Sequence, residues 1–108
     1  MLFRSDTWRY NGHTSTIDAL WAGVPVLAKT GTHFASRVSE SILAAAGLGA
    51  LLAQSAQDYV EMACAFASGA RDAVPVRAAV AESRRSSALF DTAGFTRDFL
   101  ALVARTVR

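Results

Sequence analysis

Between Tyr10 and Val26 the chain sets a glycine turn, three consecutive hydroxyl side chains (Thr14, Ser15 and Thr16), an acid at Asp18, and a Gly23 exit into an apolar β-branched run. This order constrains the fold more than any other feature, because it demands a loop, a short helix and a strand in immediate succession. Ile17, Leu20 and Trp21 fall at i, i+3 and i+4, which predicts a helix over 14–22 with one apolar face. Gly23 is placed to stop it. Residues 24–28 then read as a short strand, with Pro25 near its start, where a missing N–H is tolerated.

The remaining chain alternates in the same way. Leu2-Phe3 is the remnant of a preceding strand, and 29–32 form a loop. A second helix is predicted over 34–46, since Val38, Ile42, Ala45 and Ala46 repeat at helical spacing and Gly47 follows. Residues 50–53 read as another buried strand. Ser55 is the N-cap of a helix over 56–67 whose buried stripe is Tyr59, Met62, Ala63 and Phe66, with Gly69 closing it. Pro75 suits the first turn of a helix reaching Arg85. Residues 86–94 form a connection carrying Leu89 and Phe90, and a last helix over 95–107 is expected to bury Phe95, Phe99, Leu102 and Val103. Short strands alternating with about five helices give the α/β class, with parallel pairing and right-handed crossovers.

Length and composition narrow the function classes. The 108 residues suit one small domain, and a 52% apolar share is that of a globular chain. A formal charge of +2 argues for neither nucleic acid nor a membrane surface. Arginines Arg71, Arg77, Arg84, Arg85, Arg97, Arg105 and Arg108 outnumber the acids beyond Gly69, which reads as a solvated face. The single cysteine, Cys64, lies among Met62, Ala63, Ala65 and Phe66 and is expected to be a small buried hydrophobe. No run is long and apolar enough for a bilayer, and Arg4, Asp6 and Arg9 interrupt any signal-peptide layout, so a cytoplasmic chain is expected.

The chemistry concentrates at the helix start. The first turn of a helix leaves N–H groups unpaired at the positive end of the macrodipole, and Ser or Thr hydroxyls there add donors for a phosphate. An ordinary capped helix uses the same residue types, but three adjacent hydroxyls exceed what one cap needs. Asp18, one turn in, is suited to accept hydrogen bonds from ribose hydroxyls. His13 and His33 are the only histidines and Cys64 is remote, so no metal site is expected. Ser15 and Ser36 lack the glycine pattern of a nucleophile elbow. Trp8 and Trp21 read as packing residues.

The run from Asn11 to Leu27 resembles the signature of the O-linked N-acetylglucosamine transferase and SPINDLY-like glycosyltransferases. The likeness continues in Gly31, in 34–38, in Ser41, Leu43, Gly47 and Leu48, and in Leu89-Phe90-Asp91-Thr92. It implies a GT-B architecture of two facing Rossmann-like domains, with 1–108 a single partial domain from the later part of the C-terminal one. Within it 1–9 match poorly, 10–94 are the nucleotide-sugar-binding part and 95–108 are the C-terminal helix. The resemblance implies a UDP-sugar donor, most simply UDP-N-acetylglucosamine, a protein acceptor modified on Ser or Thr, and no metal or other cofactor. Carried over by position, His13, Thr14 and Ser15 match the diphosphate site and Asp18 matches the ribose acid. Asn11, Gly12, Thr16, Lys29 and His33 are further candidates. Arg9 stands where the family commonly has proline, and the family's base-recognising segment and catalytic lysine have no counterpart here. No residue of this chain is therefore assigned as catalytic, and the chain alone is expected to be inactive. The alternative is a non-enzymatic remnant or interaction module, self-associating through an exposed sheet edge.

Overall fold

The computed structural model describes residues 1–107. In chain order the elements are β1 (Arg4–Ser5), α1 (Thr14–Trp21), β2 (Val26–Lys29), α2 (Val38–Ala45), β3 (Leu52–Ala53), α3 (Ala56–Ser68), α4 (Val74–Ser86) and α5 (Thr92–Thr106). Single 3-10 turns at Phe34–Ser36, Gly49–Leu51 and Ala88–Phe90 join some of them. The strands form one parallel sheet in the order β1-β2-β3, with Arg4 beside Val26, Ser5 beside Leu27, Ala28 beside Leu52 and Lys29 beside Ala53. This is the expected α/β arrangement of parallel strands and five helices.

The central strand explains the burial. Val26, Leu27 and Ala28 are fully enclosed, as a parallel strand covered on both sides must be. Helices α1 and α2 pack on β2 and on each other, while α3 lies against β2 and β3. Leu20, Leu43, Leu48, Leu51, Phe66 and Val80 complete the core. Each large aliphatic side chain buried there contributes roughly 1.5–3 kcal/mol relative to exposure. Helix α4 packs on α1, and its Arg84 donates to the Trp21 carbonyl at 2.9 Å, satisfying one orphan acceptor at the end of α1.

Gly23 and Gly47 end α1 and α2 by one device. Both have positive φ, 84° and 72°. Gly23 N–H donates to Leu20 and Val24 N–H to Ala19, and the same pattern joins Gly47 to Ala44 and Leu48 to Leu43. These paired bonds close the last turn and aim the chain back at the sheet.

Several expectations need correction. The first strand is Arg4–Ser5 rather than Leu2-Phe3, held by Arg4 N–H to the Pro25 carbonyl and Asp6 N–H to the Leu27 carbonyl. The helix predicted over 34–46 is broken. Ser36 Oγ donates to the His33 carbonyl and accepts from the His33 N–H, so a 3-10 turn forms before α2. Helix α5 begins at Thr92 because Asp91 accepts from Gly94 N–H at 2.9 Å.

The larger correction concerns burial. Phe95, Phe99, Leu102 and Val103 are exposed, since α5 meets little beyond the Ala88–Phe90 turn. Trp21 is 56% exposed, one side of its ring meeting Phe90 and the Arg84 guanidinium. Cys64 is exposed rather than buried, because Phe66 and Met62 take the core-facing positions of α3. The extended α5 gives a radius of gyration of 15.3 Å. A compact chain of this length would have about 13 Å. Among the described residues no helix is long and apolar enough to cross a membrane.

Candidate functional site

The loop from β1 to α1 sits at the C-terminal end of the strands, where open α/β sheets bind their ligands. A buried polar network holds it. Asp6, just past β1, accepts from Gly12 N–H at 2.8 Å with Oδ1, while Oδ2 accepts from the Ser39 hydroxyl of α2. Tyr59 of α3 donates its hydroxyl to the Asp6 carbonyl at 2.9 Å. Burial holds the Tyr59 phenol above its ordinary range, and the neighbouring Asp6 charge acts in the same direction.

Asn11 lies inside this network. Its Nδ2 donates to the Thr7 carbonyl at 2.8 Å and its Oδ1 accepts from Ser39 N–H at 3.1 Å. Its own N–H donates to the Ala35 carbonyl, tying the loop to the 3-10 turn before α2. The side chain of Asn11 is thus fully engaged in the scaffold, below the surface that a ligand would meet.

Above this scaffold stands the start of α1. Thr14 and Ser15 are exposed, Thr16 is fully buried, and Asp18 is exposed one turn on. His13 occupies the N-cap position without capping the helix through its side chain, and no acid lies in the first turn. By contrast, Ser55 caps α3 and Asp91 caps α5. The Thr16 hydroxyl has no hydrogen-bond partner among the described residues, nor has Nε2 of His13. A buried hydroxyl left unpaired costs on the order of 1–3 kcal/mol, and this one lies beneath the first turn of α1 against Gly12.

Gly12 is required sterically. A Cβ there would lie 2.6 Å from Thr16 Oγ1 and 2.7 Å from Ser15 Oγ, so both hydroxyls face the glycine backbone. Two open grooves of about 520 Å³ each meet at this point. One runs past Tyr10, Gly12, His13 and Thr14, and the other past Asp18, Ala19 and Val24; Arg4 and Ser15 line both.

Arg4 was not among the candidates read from the sequence. Its guanidinium donates to the Ser15 carbonyl at 2.9 Å and brings positive charge beside the helix start. Only the parallel pairing of β1 with β2 places it there, 11 residues from its partner. Asp6 and Ser39 were likewise unassigned, since their contacts span 33 positions.

Lys29 and His33 stand apart. Lys29 donates to the Thr30 carbonyl at 3.0 Å, its ammonium 5.6 Å from the centroid of the Trp8 ring. His33 is exposed beside a cavity of about 650 Å³ that Phe34, Arg37 and Glu40 also line. Glu40 accepts from the Thr30 hydroxyl at 2.6 Å, which holds its carboxyl below the usual range, with Arg37 adding to the effect. Among the described residues no three His, Cys, Asp or Glu side chains cluster as metal ligands.

Comparison with known proteins gives the family of the chain. Residues 4–99 match the family described as Glycosyl transferase family 41. The UDP-N-acetylglucosamine–peptide N-acetylglucosaminyltransferase of Caenorhabditis elegans is 39% identical over 93 residues, covering 86% of this chain and 8% of that protein. A Solanum lycopersicum protein named "Probable UDP-N-acetylglucosamine–peptide N-acetylglucosaminyltransferase SPINDLY" is 37% identical over 93 residues, 86% of this chain and 10% of its own length. In structure the chain is similar to a mutant O-GlcNAc transferase of Thermobaculum terrenum, with a TM-score of 0.85 and 30% identity over 97% of this chain and 20% of that one. The chain thus spans about a tenth of the length of these two sequence relatives and a fifth of the solved chain. With the family match running from β1 into α5, and the fold that of part of a GT-B O-GlcNAc transferase, this chain belongs to glycosyl transferase family 41.

Proposed function

We propose that this chain carries the diphosphate and ribose part of a UDP-sugar donor site, for UDP-N-acetylglucosamine, within a glycosyltransferase that modifies Ser and Thr hydroxyls of proteins. The observation that carries this reading is the open start of α1, where Thr16 keeps an unpartnered buried hydroxyl against the Gly12 backbone. Two phosphates are bound there by first-turn amides and by the Thr14 and Ser15 hydroxyls, with His13 beside them. Asp18 accepts from the ribose. Asn11 and Gly12 shape the loop, Thr16 supports the phosphates from below, and Lys29 and His33 lie outside this first layer.

The chemistry suits the departure of a nucleoside diphosphate. Breaking the sugar–phosphate bond builds negative charge on UDP, and oriented N–H and O–H donors at a helix start stabilise it without a divalent ion. This chain contributes binding and leaving-group stabilisation, and by itself it does not turn over substrate. Titration of the isolated chain with UDP and UDP-N-acetylglucosamine, followed by amide chemical shifts, tests the reading. Shifts confined to 11–18 with affinity near millimolar, about 4 kcal/mol, are expected. Complete absence of shifts there would overturn it.

A second reading is favoured by the apolar face of α5, where Phe95, Phe99 and Leu102 are all more than half exposed. In that reading the chain is an interaction module without nucleotide binding. Sedimentation at several concentrations separates the two: a monomer that binds UDP supports the first, and oligomers blind to UDP support the second.

A further inference from the structure

His13 is held between two aromatic rings that the core does not use. The Tyr10 ring lies nearly parallel to the imidazole at 5.1 Å between centroids and 16°, and Phe34 meets it edge-on at 6.4 Å and 89°. Tyr10 is 67% exposed and Phe34 83% exposed, so burial in the interior does not account for either. The loops bearing them are bound together beneath His13, through the Asn11 N–H to the Ala35 carbonyl and through Asn11 Oδ1 to Ser39 N–H. The ring separations fall in the range where aromatic pairs attract beyond simple burial.

We infer that Tyr10 and Phe34 are positioning residues, which hold the His13 imidazole at the open start of α1 so that it meets the anion in a fixed orientation. This rests on the donor-site reading above. An imidazole on an exposed loop samples several rotamers, and fixing one on binding costs affinity. The clamp removes that cost beforehand. It keeps the imidazole on the wall of the groove that opens at the start of α1, beside Gly12 and Thr14. The stack depends on the ring of Tyr10 and not on its hydroxyl, so Tyr10→Phe preserves it.

The test uses the 108-residue chain, histidine ring resonances and UDP as the probe, with His33→Gln to assign the two imidazoles. Without ligand, Tyr10→Ala is expected to move the His13 ring protons downfield as the shielding of the stacked ring is lost, while Tyr10→Phe keeps them in place. In the titration, Tyr10→Ala is expected to raise the UDP dissociation constant about fivefold, with Phe34→Ala acting in the same direction. The double variant Tyr10→Ala/His13→Ala binds no more weakly than His13→Ala alone. Unmoved ring protons in Tyr10→Ala, or losses from Tyr10→Ala and His13→Ala that simply add, overturn the positioning role while leaving UDP binding by the native chain intact. Failure of the native chain to bind UDP at all overturns the donor-site reading and the inference with it, and is recognised by that difference.

Discussion

Replacing Asp6 by alanine is the most searching test of how the site is built. Asp6 is 7% exposed, and its two carboxylate oxygens accept from Gly12 N–H and from the Ser39 hydroxyl. Hydrogen bonds to a charged group are each worth about 1.5–3 kcal/mol net, and truncation also leaves both donors without their partner. Gly12 is half-buried, so water reaches its freed N–H and the lower part of the range applies there. The expected loss is about 3 kcal/mol, which for a domain of this size lowers Tm by roughly 12–24 °C. Asp6→Asn keeps an acceptor for Gly12, and the Ser39 hydroxyl can turn to accept from the new amide, so about 1–2 kcal/mol is lost. Urea unfolding of the wild type, both variants, Ser39→Ala and the double Asp6→Ala/Ser39→Ala measures this. The double variant should cost clearly less than the sum of the single ones, since each removes the same bond. A loss below about 1 kcal/mol for Asp6→Ala, or strict additivity with Ser39→Ala, would refute the network as the element that holds the loop.

Three further outcomes follow from the same geometry. Gly12→Ala should turn the Ser15 and Thr16 hydroxyls out of their rotamers at a stability cost of about 1–2 kcal/mol, and UDP-induced shifts should vanish even where the variant remains folded. Thr16→Val replaces an unpartnered buried hydroxyl by a methyl group, so unfolding should show unchanged or higher stability by up to about 1 kcal/mol, while UDP titration shows weaker binding. Tyr59 has its pKa raised from 10.0 by burial, so the fold favours the neutral phenol. Its contribution is complete below the ordinary value and is lost as pH rises through the raised one. Urea midpoints should therefore fall at alkaline pH in the wild type and less so in Tyr59→Phe, which at neutral pH is destabilised by about 1 kcal/mol through loss of the bond to the Asp6 carbonyl.

Local rules carried the sequence reading wherever a feature depends on neighbours in the chain. Gly23, Gly47 and Gly69 end helices because each takes a positive φ, and Ser55 caps α3 through Asp58 N–H at 3.0 Å. The central strand, Val26–Lys29, followed from the short β-branched run read at 24–28. Most of the readings that failed are those in which distant partners decide. Arg4 is tolerated in a strand because β1 is an edge and the guanidinium finds the Ser15 carbonyl. Helical periodicity in α5 shows that an apolar face exists, yet nothing in periodicity says what lies against it, and within this chain almost nothing does. Ser36 broke the expected long helix by bonding to His33, a local competition that propensity alone does not rank. The start of α1 at Thr14 was legible from its residue types. Its scaffold was not, because Asp6, Asn11, Ser39 and Tyr59 converge from positions 28 to 53 residues apart.

That convergence bears on whether part of a donor site can be prearranged within this chain. The residues fixing the 10–13 loop come from the end of β1, from α2 and from α3, and these elements share the closed core around β2. Helix α5 contributes no side chain to the network, and its contacts run chiefly to the Ala88–Phe90 turn. The exposed face of α5 is therefore the surface open to association, while the Asp6 network sets the shape of the 10–13 loop, and the two share no side chain. A charge placed on α5, as in Phe99→Glu, should abolish concentration-dependent sedimentation without altering UDP-induced shifts at 11–18. Loss of those shifts in a monomeric Phe99→Glu chain would show that the site depends on association after all. Their persistence would mean that three short strands and the helices around them suffice to aim the first turn of α1 at a diphosphate.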